Sequence, residues 1–190
     1  MSAPGTGISA QGSPFWRFSL GFYRMPGVAD ACIAVQEESG VDVNVLLFLL
    51  WSATLGRRFT VAEIAELDAK AGAWREMTVI PLRAVRRALK APPALVAPQA
   101  AEAFRNKIKS VELESERLQQ EAMYELAQKG LAGSAAPQSA ETARANVAAY
   151  EKQCVKPLSK TALAALLDAF VAFQARAEQG DAARPSTKSA

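Results

Sequence analysis

The sequence predicts an all-α fold, and three observations predict it. Capping and stop signals recur at helix-length intervals, apolar residues between them return at three- and four-residue spacing, and no stretch keeps the strict alternation of a half-buried strand. The expected architecture is a compact multi-helix N-terminal lobe, residues 13–91, packed with a long C-terminal helical hairpin or bundle, residues 97–180, on the same core. Residues 1–12, rich in Gly, Ser and Ala, and residues 181–190 read as disordered tails.

Ser13-Pro14 opens the first helix as an N-cap followed by proline in the first turn, and Phe15, Trp16, Phe18, Leu20, Phe22 and Tyr23 follow it to Met25-Pro26-Gly27. Val28, Cys32 and Val35 share one face of a second helix, which stops at Gly40. Asp42 caps a third helix to about Leu55. Its run Val45–Trp51 is apolar all round, as in a helix surrounded by others. Thr60 and Glu63 have the spacing of a capping box ahead of Ile64 and Leu67. After Gly72 come Trp74 and Met77, and Pro81 then calls for either a kink or two short helices. Leu82, Val85 and Leu89 mark the helical face beyond it.

Pro92, Pro93 and Pro98 bracket a linker. A long helix over Gln99–Lys129 places Phe104, Ile108, Val111, Ser115, Leu118 and Ala122 in the 4-3 rhythm of a coiled-coil seam. The turn Gly130–Gln138 leads to a helix over Ala140–Gln153 with Ala143, Val147, Tyr150 and Cys154 on one stripe. That short connection favours an internal hairpin of these two helices over self-association through residues 99–129. Pro157 ends the stripe, Ser159 caps the last helix, and Leu163, Leu166, Leu167, Phe170 and Phe173 form its buried side.

A chain of 190 residues suffices for one ordinary domain or two small lobes on one core, and 50% hydrophobic residues set it apart from a disordered composition. The net charge of +3 is too small to name a partner. The sequence contains no histidine, which excludes Ser-His and Cys-His nucleophile pairs, histidine acid–base catalysis and HExxH zinc sites. Cys32 and Cys154 form no CxxC pair and read as free thiols. The first residues lack a basic and apolar leader pattern, and the apolar run Val43–Trp51 falls far short of the ~20 residues of a spanning helix. A cytoplasmic protein without a membrane segment is the expectation. Neither a cofactor motif nor a metal-ligand pattern is present in the sequence.

Four features carry candidate chemistry. Gln36, Glu37, Glu38, Asp42 and Asn44 cluster at the Gly40 turn, where carboxylates could act as an acid–base pair or hold a cation. Capping accounts for Asp42 as well, but Glu37 and Glu38 oppose the dipole of the helix they end, at a cost of roughly a few tenths of a kcal/mol. Trp16, Trp51 and Trp74 suit either a ligand pocket or plain core packing. Arg83, Arg86, Arg87 and Lys90, with Arg57, Arg58 and Arg75 upstream, form a basic helix face that could meet a polyanion or simply be solvated. The long helix suits a hairpin or a homo-oligomer.

The opening FWRFSLGFY, then PGVADAC, the VQEESG turn and DVNVLLFLLW, all within Phe15–Ala53, resemble a proteobacterial family of small helical proteins, a domain of unknown function. The resemblance continues more loosely through Thr60–Lys90, including LRAVRRALK, and thins out over the C-terminal half. The family usually carries Asp at the position of Glu37, which keeps the polarity and changes the reach. The resemblance implies a helical fold and a bacterial source, and no activity.

Two functional readings follow. The first is a non-catalytic interaction or adaptor protein with a protein partner, contacting it through the basic helix and the outer faces of the hairpin. The second is a small-molecule binding protein or carboxylate-dependent enzyme, with a pocket lined by Trp16, Gln36, Glu37, Asp42, Asn44 and Trp51. Nucleic-acid contact through Arg83, Arg86, Arg87 and Lys90 is a weaker third.

Overall fold

A computed structural model describes residues 12–182. The expected tails lie outside the described residues, apart from Gly12 and the end of the last helix. Helices dominate, and each begins or ends where local chemistry dictates. Helix α1 (Pro14–Tyr23) starts at Ser13, whose hydroxyl accepts the Trp16 amide at 3.0 Å. Helix α2 (Val28–Ser39) stops at Gly40, whose φ of 68° is the left-handed conformation that ends helices at glycine. Asp42 caps α3 (Val43–Thr54) by accepting the Asn44 amide at 2.8 Å. Thr60 and Glu63 complete the expected capping box of α4 (Val61–Trp74).

Pro81 does not interrupt the helical run. A π-helical turn over Arg75–Val79 joins α4 to α5 (Ile80–Ala88), and the Ile80 amide reaches back to the Arg75 carbonyl. The wider turn stands immediately before the proline, which sits in the first turn of α5. After a loop comes α6 (Pro98–Gln128), followed by α7 (Ala140–Glu151) and α8 (Lys160–Ala182). A two-residue antiparallel ladder, β1 (Arg57–Arg58) with β2 (Ser134–Ala135), is an addition to the helical reading. Gly56 makes that crossing close: a Cβ there would lie 2.5 Å from the Ala136 carbonyl oxygen.

Helix α3 occupies the centre. Every residue from Asn44 to Ala53 is buried, as its all-round apolar composition requires. Phe15 of α1 packs its ring 5.3 Å from both Phe48 and Trp51 of α3, and Phe173 of α8 stands edge-on to Phe18 and Phe22. Helix α7 packs along α3, and α8 along α2. One apolar core therefore draws on α1–α4 and on α7–α8, with Met123 joining from α6. Asn146 pins α7 in place from inside it. Fully buried, it accepts the Phe59 amide and donates to the carbonyls of Leu49 and Arg57.

Helix α6 takes a different partner from the one its loop length suggests. Its antiparallel neighbour is the preceding helix α5, while α7 packs on α3 and α4. Two side-chain requirements account for this. The α7 stripe of Ala143, Val147 and Tyr150 fills the surface of α3, whereas Glu112 and Glu116 of α6 need cations, which Arg83 and Arg86 of α5 supply. Helices α5 and α6 thus form an arm, and α5 buries no residue of its own.

Candidate functional site

The tight exit from α2 and the start of α3 put Asp42 at a corner between helices, only 8% exposed. Its Oδ1 accepts the cap bond from Asn44, and its Oδ2 accepts from Arg75 Nη1 at 2.8 Å and from Gln119 Nε2 at 2.6 Å. Arg75 Nη1 also donates to Asp68 Oδ1 at 2.7 Å. Burial works against the Arg75 guanidinium, but its bonds to Asp42 and Asp68 outweigh that and hold it above its ordinary range. The Asp42 backbone amide donates to the Tyr150 hydroxyl at 3.1 Å. Burial, then the charges of Asp68 and Asp42, push the Tyr150 phenol up, so it stays neutral.

Because the Asp42 carboxylate only accepts, the amides beyond it point one way. Gln119 turns its NH₂ to Asp42 and its oxygen to Asn44 Nδ2 at 3.1 Å. Asn44 in turn offers its oxygen to Gln120 Nε2 at 2.7 Å, and the buried Gln120 Oε1 ends the relay with no partner. This chain ties the start of α3 to the middle of α6. It leaves both Asp42 oxygens engaged: the carboxylate accepts three hydrogen bonds from groups of its own chain and is only 8% exposed.

Beside the corner lies an open groove of about 380 Å³ between the end of α2 (Glu38, Gly40) and Asp68, Tyr150, Cys154 and Lys156. Neither Asp42 nor Asn44 lines it. Among the described residues, no group of three or more acidic or thiol side chains is arranged to hold a metal ion.

The six residues expected to line one pocket are not brought together. Asp42 and Asn44 share the buried relay, Gln36 is half-buried in the last turn of α2, and exposed Glu37 sits at the groove, where it pairs with Arg87 at 2.8 Å. Trp51 belongs to the aromatic core, with Tyr124 on its far side at 5.7 Å, and half-buried Trp16 lies by Gly12. Trp74 donates its indole N–H to the Ser115 carbonyl at 2.9 Å, so it joins the root of the arm to α6.

The basic helix face is largely neutralised within the chain. Arg83 donates to Glu112 at 3.2 Å and to Glu116 at 2.8 Å, and Arg86 bonds Glu112 through both Nε and Nη2. The bond to Glu112 holds the Arg86 guanidinium up, while burial raises the Glu116 carboxyl against the pull of Arg83. Arg87 is spent on Glu37, which leaves exposed Lys90 to solvent.

Sequence reasoning missed how much apolar surface α5, α6 and their surroundings leave in water. Met77 is 67% exposed, Leu95 95% and Val111 51%, and Ile80, Val85, Val96, Phe104, Leu113 and Leu118 are exposed with them. It also missed Gln119 and Gln120 as partners of the corner. The available signal was their polarity at positions that continue the buried side of α6 beyond Glu112 and Ser115.

The sequence model of the family described as "Protein of unknown function (DUF2390)" matches residues 14–123, more than half of the chain. The chain belongs to this family. The DUF2390 segment runs from α1 to Met123 of α6, so it holds the Asp42–Arg75–Gln119 relay, the groups that fix α5 on α6 and all the exposed apolar residues named above. Tyr150 and Asn146 lie beyond it, on a helix that completes the core. No curated protein and no solved structure matches the chain. No helix among the described residues is long and apolar enough to cross a membrane.

Proposed function

We propose that this chain is a non-catalytic interaction protein of the bacterial cytoplasm, with the α5–α6 arm as its contact surface. One observation carries the reading. More of the exposed large apolar side chains lie on the π turn, on α5 and α6 and on the loop between these two helices than on the rest of the described chain, whereas Asp42, Arg75 and Gln119 at the corner are engaged with one another. Water-exposed apolar residues gathered on neighbouring elements mark a surface that another macromolecule covers. Two free cysteines are in keeping with a reducing compartment.

Affinity capture from the native cell tests this, comparing wild type with Val111→Lys on the arm and Glu38→Lys at the groove. The expected result is a partner held by wild type and by Glu38→Lys and lost with Val111→Lys. A partner lost only with Glu38→Lys, or turnover of a metabolite by the purified chain, would overturn it.

The groove supports a second reading, a small-molecule site at the α2 exit. Its support is the open 380 Å³ volume with Tyr150 and Glu38 at its wall. Contact with nucleic acid has less support, because Arg83, Arg86 and Arg87 are engaged with carboxylates.

A further inference from the structure

The exposed face of α6 has an internal symmetry. Glu112, Ser115 and Glu116 turn toward α5 and the π turn, and the face beside them carries Ala100, Phe104, Lys107, Val111, Glu114, Leu118 and Ala122, all exposed. These positions recur at four- and three-residue spacing, so they form one stripe along the helix. Residues equidistant from Val111 correspond in kind. Phe104 and Leu118 lie seven positions to either side and Ala100 and Ala122 eleven; the oppositely charged Lys107 and Glu114 flank the centre less evenly, four positions before it and three after.

An antiparallel copy of the same helix, crossing at Val111, would set Phe104 against Leu118, Ala100 against Ala122, and Lys107 beside Glu114, each pair occurring twice. That is the self-complementarity a two-fold interface requires. In antiparallel helix pairs, the flanking charges on matching sides meet one another, so a Lys and a Glu spaced in this way attract in the antiparallel register. A parallel, in-register pair would keep Lys107 and Glu114 seven residues apart along the axis and would not bring them together. Glu114 already pairs within its helix with Arg117 at 2.6 Å, and this leaves it charged and available to an ammonium from outside.

We infer that the stripe on α6 is the interface of an antiparallel homodimer, in which Val111 packs on Val111 and the Lys107–Glu114 pairs set the register. The inference rests on the reading of the arm as a contact surface and names a second copy of this chain as the occupant. The stretch from Ala100 to Ala122 spans about 33 Å of helix, and the shallow crossing of ~20° seen in coiled-coil packing keeps two such helices in contact over most of it.

The test is sedimentation equilibrium of the full chain up to about 1 mM, where even weak self-association registers, with thermal unfolding of every variant by circular dichroism. The expected result is a monomer–dimer equilibrium. Val111→Lys, which places two ammoniums at the buried centre, should raise the dissociation constant by roughly a hundredfold. Lys107→Glu alone should raise it by about tenfold, and the doubly exchanged Lys107→Glu/Glu114→Lys should return it to within about threefold of wild type. That rescue cannot come from a general loss of stability.

A chain monomeric throughout the range overturns the inference, as does a dimer indifferent to Val111→Lys or a double exchange without rescue. Those outcomes leave the interaction reading standing if Val111→Lys still releases a captured partner of another kind. If the arm variants alter neither the dimer equilibrium nor capture, both fall.

Discussion

The core around α3 and the α5–α6 arm hold their helices together by different means. In the core, Phe15, Phe48, Leu49, Ile64 and Phe170 are fully buried, and association comes from filled volume and apolar area removed from water. In the arm, α5 buries nothing, and its place on α6 is set by Arg83 and Arg86 on Glu112 and Glu116. An apolar core tolerates no gap but is indifferent to salt. An ion-paired joint with partly exposed cations is the reverse, and it leaves its apolar residues free to meet something else. Between the two stands the Asp42 relay, buried like the core and ionic like the arm.

The contrast can be broken most severely from the core side. Phe48→Ala should cost about 3–5 kcal/mol, since the cavity opens among Phe15, Trp51 and Phe59 with no solvent to fill it. Global denaturant unfolding reads that loss directly. Asp42→Ala removes a cap and strands the donors of Arg75 and Gln119, and a loss of about 3 kcal/mol is expected from such a half-broken buried pair. Asp42→Asn should recover part of the cap and little of the Arg75 interaction.

Glu112→Gln tests the arm. It should lower global stability by about 1–2 kcal/mol, and hydrogen exchange should speed up in α5 well before α3 responds. Raising the salt concentration should have the same local effect, since the arginines are partly exposed.

The two regions also respond to opposite ends of the pH scale. Burial raises the Cys32 thiol from 9.0 to about 12, so its contribution to stability is complete below pH 9 and is lost as pH rises through 12. Over that interval the slope from one such proton is at most about 1.4 kcal/mol per pH unit, and Cys32→Ala should remove it. Glu116, also raised by burial, makes its contribution below its ordinary value of 4.5 and loses it as pH climbs past that. Hydrogen exchange should therefore show α5 opening more readily as the pH rises past 4.5, while the core holds. Smallest of all, Phe104→Ser on the exposed stripe should change monomer stability by no more than about 0.5 kcal/mol.

What could be read from the sequence was whatever a few neighbouring residues decide. Ser13, Gly40, Asp42 and the Thr60–Glu63 box act on amides within four residues, and each does in the structure what its position predicts. The all-round apolar run of α3 announced a central helix because no other location suits it. Pairings across the chain were less legible. The 4-3 rhythm of α6 promised a seam, but it could not say that Ser115 would face the π turn while Phe104 and Val111 stayed in water. Asp42 had a sufficient local reason as a cap, which hid its ion pair with Arg75. Arg75 in turn counted as one more member of a basic run. Trp51 had the credentials of a pocket residue because aromatic rings serve packing and recognition with the same chemistry.

The π turn at Arg75–Val79 has a consequence in the arithmetic of chain length. It accommodates one residue more than an α-helical turn, and the surplus rotates everything after it by about 100° relative to everything before. Arg75 reaches the Asp42 corner from one side of that step, while Arg83 and Arg86 reach α6 from the other. Removing the exposed Met77 would restore a regular helix of the same sequence and caps, yet it would swing both arginines away from Glu112. A single codon lost here would undo the arm's joint with every residue that makes it still present.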